Sequence, residues 1–178
     1  MFLRTLRNVK NTWFATSPMD TDVFLDSWES KYGNWHDPIP MEVINRLVCL
    51  ADKDQNSIVC EIGAGYGRIL SKLGSNFVKI GIEPDPILYK KLKESDCDLP
   101  INCKAHEIPP VLGVQFFYSV RALEYVTLPQ VLKMMRVIKI HYPNAILLTW
   151  ERKRTSTRLR IARRILGWKN CFVNEIVN

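Results

Sequence analysis

Apolar and polar positions along the chain fall into two regimes. Up to about residue 52 the apolar residues recur at helical spacing. Val23, Phe24 and Trp28 predict a helix over roughly 19–32, with Asp20 or Thr21 as its cap. Tyr32 to Pro40 is a turn-rich connector ending in two prolines. Val43, Ile44, Leu47, Val48 and Leu50 predict a second helix from Met41 to Ala51. From Ser57 onward, short apolar runs alternate with helical stretches. Five of these runs read as strands: Ser57–Ile62, Phe77–Ile82, Pro100–Cys103, Val114–Val120 and Ala145–Trp150, the third being the least apolar. Helices are expected through Ile69, Leu70 and Leu73, over Pro86–Lys93 and over Pro129–His141. Near-continuous apolar strands alternating with helices are the pattern of a parallel sheet covered on both faces. The predicted fold class is α/β, a doubly wound, mostly parallel sheet whose ligand lies beyond the carboxyl ends of the strands.

Length adds that this is one unit. The 178 residues contain no internal repeat and no low-complexity linker. One domain over 1–178 is expected, with an N-terminal helical cap (1–52), a ligand-binding core (57–150) and a basic C-terminal helix and tail (151–178). A hydrophobic content of 47% excludes disorder. No apolar run reaches the roughly 20 residues that span a bilayer, and Arg4, Arg7 and Lys10 break up the N-terminal apolar positions where a secretory signal would be continuous. The five cysteines are odd in number and never spaced C-x-x-C. They read as reduced thiols, with no metal site, in a cytoplasmic protein.

Charge changes the picture in one place. Of 25 basic residues, eight fall between Arg152 and Lys169, a stretch with no Asp or Glu; without them basic and acidic residues nearly balance. The segment reads either as a solvated helix face or as a docking surface for nucleic acid, an anionic membrane or an acidic partner. Leu159, Ala162, Ile165 and Leu166 would share one helical face, with Gly167 as the stop.

The candidate chemistry sits after the first strand, in Glu61-Ile62-Gly63-Ala64-Gly65-Tyr66-Gly67-Arg68. Glycine there permits a tight turn and close approach of a ligand to the backbone. A dinucleotide fingerprint wants G-x-G-x-x-G, but its third glycine would fall on Arg68, and no Gly-Lys-Ser/Thr of a P-loop follows. Glu61, two places before the first glycine, gives nothing to a phosphate-binding turn. It suits a cofactor carrying an ammonium group and a sulfonium charge. Glu83 ends the second strand in Ile80-Gly81-Ile82-Glu83-Pro84, where a carboxylate can accept both hydroxyls of a ribose.

These two motifs, with Tyr118-Ser119-Val120-Arg121-Ala122-Leu123-Glu124-Tyr125-Val126, resemble the class I S-adenosylmethionine-dependent methyltransferases. The likeness covers about Ser57 to Trp150 and implies a Rossmann-like core with S-adenosylmethionine (SAM) as cofactor. It implies that Glu61, Gly63, Ala64, Gly65 and Gly67 hold the methionine end, that Glu83 and Pro84 hold the ribose side, and that Ser119 and Val120 lie near the methionine moiety and the acceptor. After the third strand the family often has Asp-Ala-x-x-Leu-Pro, its Asp contacting adenine. Here the stretch is Lys104-Ala105-His106-Glu107-Ile108-Pro109; Lys104 cannot accept that bond, which leaves backbone, His106 or Glu107, with Ala105 beside them. Gln115 stands for the Asp that commonly opens the fourth strand, and Tyr125 for a frequent His.

Only 28 residues follow Trp150, where the family usually supplies a helix and an antiparallel strand pair. A C-terminally shortened sheet is expected, with one helix and one short strand near Asn170–Val173. That would leave an apolar edge beside Ile146–Leu148 to be covered by the tail or by a second subunit in a homodimer. Methyl transfer from SAM needs alignment, and a base only when the acceptor is protonated and weakly acidic. The chain shows no unambiguous base; Glu124, Tyr125 and His36 are acceptor-side candidates, and His141 reads as structural. Neither the Asn/Asp-Pro-Pro-Tyr/Phe of amino-methylating nucleic-acid enzymes nor a Pro-Cys nucleophile pair is present. The expected function is methyl transfer to an unidentified acceptor, a small molecule being favoured. The alternative is a non-catalytic module of the same fold that binds RNA or another anionic partner through residues 152–169. A nicotinamide-dependent dehydrogenase ranks third.

Overall fold

The computed structural model describes residues 41–51 and 56–175. The helix expected over 19–32, the connector and His36 lie outside them. Helix α1 (Met41–Leu50) buries Val43, Ile44 and Leu47; Val48, grouped with them in the sequence, is half exposed. Strands β1 (Ser57–Ile62) and β2 (Phe77–Ile82) occupy the expected six-residue runs. The remaining order is α2 (Pro86–Lys93), β3 (Leu99–Ile101), β4 (Phe116–Val120), α3 (Leu128–His141), β5 (Ile146–Glu151), α4 (Lys153–Leu166) and β6 (Cys171–Glu175).

The six strands form one sheet in the order β3-β2-β1-β4-β5-β6, and every pairing is parallel. Apolar residues on its two faces make two cores. One joins Ile62, Ile82, Phe117 and Leu147 to Val131, Met134, Met135 and Ile138 of α3 and to Leu159 and Ala162 of α4. The other joins Val59, Phe116, Tyr118 and Leu148 to α1, to Leu70 and to Leu92 of α2. Helices therefore cover both faces, as a sheet of near-continuous apolar strands requires.

Local chemistry fixes the helix ends. Asp85 accepts from the backbone N–H groups of Ile87 and Leu88 at 2.9 and 3.0 Å, and Pro86 opens α2. Thr127 and Gln130 form a reciprocal capping box on α3. Gly167, at φ +56°, ends α4 in the left-handed conformation.

Two expectations are corrected and a third is narrowed. The apolar spacing Ile69, Leu70, Leu73 does not build an α-helix; it gives turns and one 3-10 turn over Leu70–Lys72. Only six residues separate Gly67, itself at φ +82°, from Gly74, too few to repay helix nucleation. On α4, Ile165 is 63% exposed; the buried face carries Thr155, Ser156, Arg158, Leu159 and Ala162 instead. Finally, the β5 edge is not bare. The tail supplies β6, which pairs with β5 from Leu147↔Cys171 to Glu151↔Glu175. Of the two covers expected for that edge, the structure supplies the tail, as the one helix and one short strand expected after Trp150. No helix among the described residues is long and apolar enough to cross a membrane.

Candidate functional site

The carboxyl ends of β1, β2 and β4 converge on the glycine turn. Two hydrogen bonds hook that turn onto β2: Gly63 N and Ala64 N donate to the Ile82 carbonyl at 2.8 and 2.9 Å. Gly63, Gly65 and Gly67 all have positive φ, where a side chain is strained. Their surroundings differ. A Cβ on Gly63 would stand 2.2 Å from the Ala122 Cβ, and one on Gly67 2.5 Å from the Ser95 hydroxyl. A Cβ on Gly65 would meet no described residue within 4 Å. The turn is packed at both ends and open in its middle, which is the surface a ligand can reach.

Glu83 closes the turn from the β2 side. Its Oε2 accepts from Gly65 N at 2.8 Å and its Oε1 from Asp85 N at 2.9 Å. Burial raises the Glu83 carboxyl above its ordinary range, and those two N–H groups oppose the rise. A carboxylate has about four acceptor sites, and among the described residues one backbone N–H occupies each oxygen. Asn102 binds the segment after β3 to the same corner, its Nδ2 donating to the Glu83 carbonyl at 2.8 Å and to that of Pro84 at 3.2 Å.

Glu61 lies beneath the turn rather than on its open surface. It is 3% exposed, and its Oε2 accepts from the Tyr118 hydroxyl at 3.1 Å. Burial pushes its carboxyl up to about 8, opposed by the Tyr118 hydrogen bond and reinforced by the charge of Glu83. The two acids stand toward the carboxyl ends of neighbouring parallel strands. A cation arriving there would draw the proton off Glu61. The described residues thus fit a cationic nucleoside: a glycine that no described side chain covers, a Glu83 carboxyl with one backbone donor on each oxygen, and a second buried carboxyl nearby.

The other sequence candidates divide. Ala105 is partly buried against the core. The His106 side chain is 14% exposed with Nε2 3.7 Å from Glu107, and burial lowers its pKa. Ser119 is fully buried, while Val120 is half-buried at the end of β4. Glu124 forms an ion pair with Arg152, Oε1 to Nε at 3.2 Å. Tyr125 is 48% exposed beside it. His36 is not among the described residues.

Glu151 was missed by sequence reasoning. It ends β5, is fully buried, and its Oε1 accepts from the Ser119 hydroxyl at 2.7 Å. Burial pushes its carboxyl up to about 8, opposed by that bond. The available signal was an acid closing an apolar run, the pattern that drew attention to Glu83. Arg121 is also unusual, a non-glycine residue at φ 55° directly after β4. A cavity of about 300 Å³ lies elsewhere, between α1 and the β5–β6 pair, lined by Glu42, Arg46, Leu148, Trp150, Phe172 and Asn174; none of the site candidates borders it.

The fold and this geometry define an open α/β sheet with its cleft at the strand ends. Among solved structures, the chain has the fold of the SAM-dependent methyltransferases. It is similar to a TehB-like SAM-dependent methyltransferase from Corynebacterium glutamicum, at 16% identity and TM-score 0.57, with 88% of this chain and 91% of that one covered. It is similar to a magnesium protoporphyrin IX methyltransferase from Synechocystis with bound SAM, at 13% identity and TM-score 0.57, covering 85% and 88%. A SAM-dependent methyltransferase from Leishmania major matches at 15% identity and TM-score 0.53, covering 79% and 67%. Other matched chains are longer, and this chain spans about half of their length, 45% of one and 52% of another. No protein-family profile matches the sequence, and no curated protein matches it.

Proposed function

We propose that the chain is a SAM-dependent methyltransferase acting on a small-molecule acceptor. The observation that carries this reading is the uncovered Gly65 between two buried strand-end acids, Glu61 and Glu83. The six-stranded order is shared with dinucleotide-binding sheets, but the third glycine of their fingerprint falls on Arg68, and a pyrophosphate gains nothing from the buried acid Glu61 at that turn. An ammonium and a sulfonium are drawn to the same place.

Bound SAM supplies a methyl group activated by its sulfonium charge. In this reading Gly63, Ala64, Gly65 and Gly67 present backbone to it, Glu61 balances the ammonium, and Glu83 with Pro84 fixes the ribose. Ala105 and His106 border the adenine, and Ser119 and Val120 face the methionine side. The protein's contribution is alignment and exclusion of water. Glu124 and Tyr125 stand nearest the acceptor side in the chain, and a base is required only for a protonated acceptor of low acidity.

Nothing in the fold favours the RNA-binding alternative. Arg158 is buried, Arg152 pairs with Glu124, Arg160 with Glu175, and the Arg163 Nε donates to the Trp168 carbonyl. Half of the basic segment is committed to internal contacts. Titration calorimetry with SAM and S-adenosylhomocysteine (SAH) tests the proposal, with NADH as the competing ligand. Absence of SAM and SAH binding at millimolar ligand would remove it.

A further inference from the structure

The turn after β4 is held from below. Glu151 sits one residue beyond the Val120↔Trp150 pair, the last of the β4–β5 register. Its Oε1 accepts from two donors that bracket the turn, the Ser119 hydroxyl at 2.7 Å and the Leu123 N–H at 3.4 Å. Between them lie Val120, Arg121 in its left-handed conformation, and Ala122 against Gly63. The backbone of Glu151 is itself anchored, its carbonyl accepting from the buried Ser156 hydroxyl at 2.9 Å. The other carboxyl oxygen, Oε2, is sealed from solvent and has no hydrogen-bond partner among the described residues. A bare, sealed carboxylate oxygen is costly, so the uncharged acid is the form that suits this environment. What the turn takes from Glu151 is an acceptor oxygen at a fixed reach.

We propose that Glu151 is a positioning residue: it fixes the Ser119–Leu123 turn against the glycine turn and thereby sets the affinity of the cofactor site. The effect on affinity rests on the methyltransferase reading; the effect on the turn does not. Substitution separates reach from charge. Glu151→Gln keeps an acceptor oxygen at the same length without a charge. Glu151→Asp keeps the acid but withdraws it by one methylene, and Glu151→Leu removes it.

The test is SAH affinity by calorimetry on the full chain, together with amide hydrogen exchange across residues 119–123. Glu151→Gln should bind SAH within about threefold of the parent, while Asp and Leu weaken it at least about tenfold, the equivalent of one buried hydrogen bond. Exchange in the turn should rise in the Asp and Leu variants and stay low in Gln. Should either variant fail to fold, Ser119→Ala removes one donor while leaving Glu151 in place, and the same weakening and faster exchange are expected. Parental exchange in the folded variants overturns the proposal, as does a Gln variant as weak as Leu. A parent chain that binds no SAH defeats the methyltransferase reading and the affinity claim together, and the exchange result then decides the turn.

Discussion

Gly63 faces two separate penalties if it acquires a side chain, and the structure allows them to be told apart. At φ +73° an alanine is strained, at about 1–2 kcal/mol for a left-handed L-residue. Its Cβ would also stand 2.2 Å from the Ala122 Cβ, and neither atom is the movable end of a flexible chain. Overpacking of this kind costs about 1–3 kcal/mol. Gly63→Ala should therefore lose about 2–5 kcal/mol in all. For a chain of this size that is roughly a 5–15 °C drop in melting temperature. Ala122→Gly removes the opposing methyl, so the double variant should recover the steric share and keep the left-handed share. The coupling in a double-mutant cycle should be about 1–3 kcal/mol, favourable to the pair. Urea unfolding of the four proteins measures it. A coupling indistinguishable from zero would mean that the two turns do not touch in solution, and the picture of a turn packed at its ends would fail.

Gly65 gives the contrasting case. Gly65→Ala has strain at φ +57° but no described residue within 4 Å to strike, so stability should fall by only about 1–2 kcal/mol while SAH affinity falls by more than tenfold; SAH affinity within about threefold of the parent would argue against ligand contact there. The pH dependence follows from Glu61 and Glu151, both held near 8 by burial against an ordinary 4.5. The folded chain keeps protons that the unfolded chain releases, so their contribution is full below pH 4.5 and is lost as pH rises through 8. Melting temperature should decline between about pH 5 and 8, and Glu61→Gln should flatten the decline; an unchanged slope in that variant refutes the assignment. Arg158→Met leaves the Val126 carbonyl, now bonded at 2.6 Å, without its donor. About 2–3 kcal/mol should be lost, read by denaturant unfolding, and parental stability would show that the buried guanidinium holds nothing.

How far the sequence reveals this molecule depends on whether a residue's partners are near in the chain. β1 and β2 can be read to the residue because each is a six-residue, mostly apolar run, too short for a buried helix. α2 is equally plain, since Asp85-Pro86 writes its own start. β3 is only Leu99–Ile101, half exposed with a proline at its centre, so composition displaces it by a residue or two. The helix expected after the glycine turn fails because spacing reports which side is apolar and not whether the segment is long enough. Glu61 and Glu83 are visible as acids at strand ends. Glu151 ends β5 in the same way, but an acid after Trp150 reads equally as the point where a strand leaves the core. The burial of Glu151 and Arg158 is decided by Ser119 and by the Val126 carbonyl, each 32 residues away. No local pattern records that.

An all-parallel sheet also dictates how the chain must assemble. No two neighbouring strands can zip from a hairpin, since each parallel pair waits for a crossover to close. The central seam demands the longest wait: Val59 must find Phe116, whereas β1 with β2 and β4 with β5 close shorter loops. The order of closure that loop entropy favours is two half-sheets first and the β1–β4 join last. Until that join forms, the unzipped flanks Val59–Glu61 and Phe116–Tyr118 are the chain's stickiest surfaces, and crowded refolding is where clumping should begin.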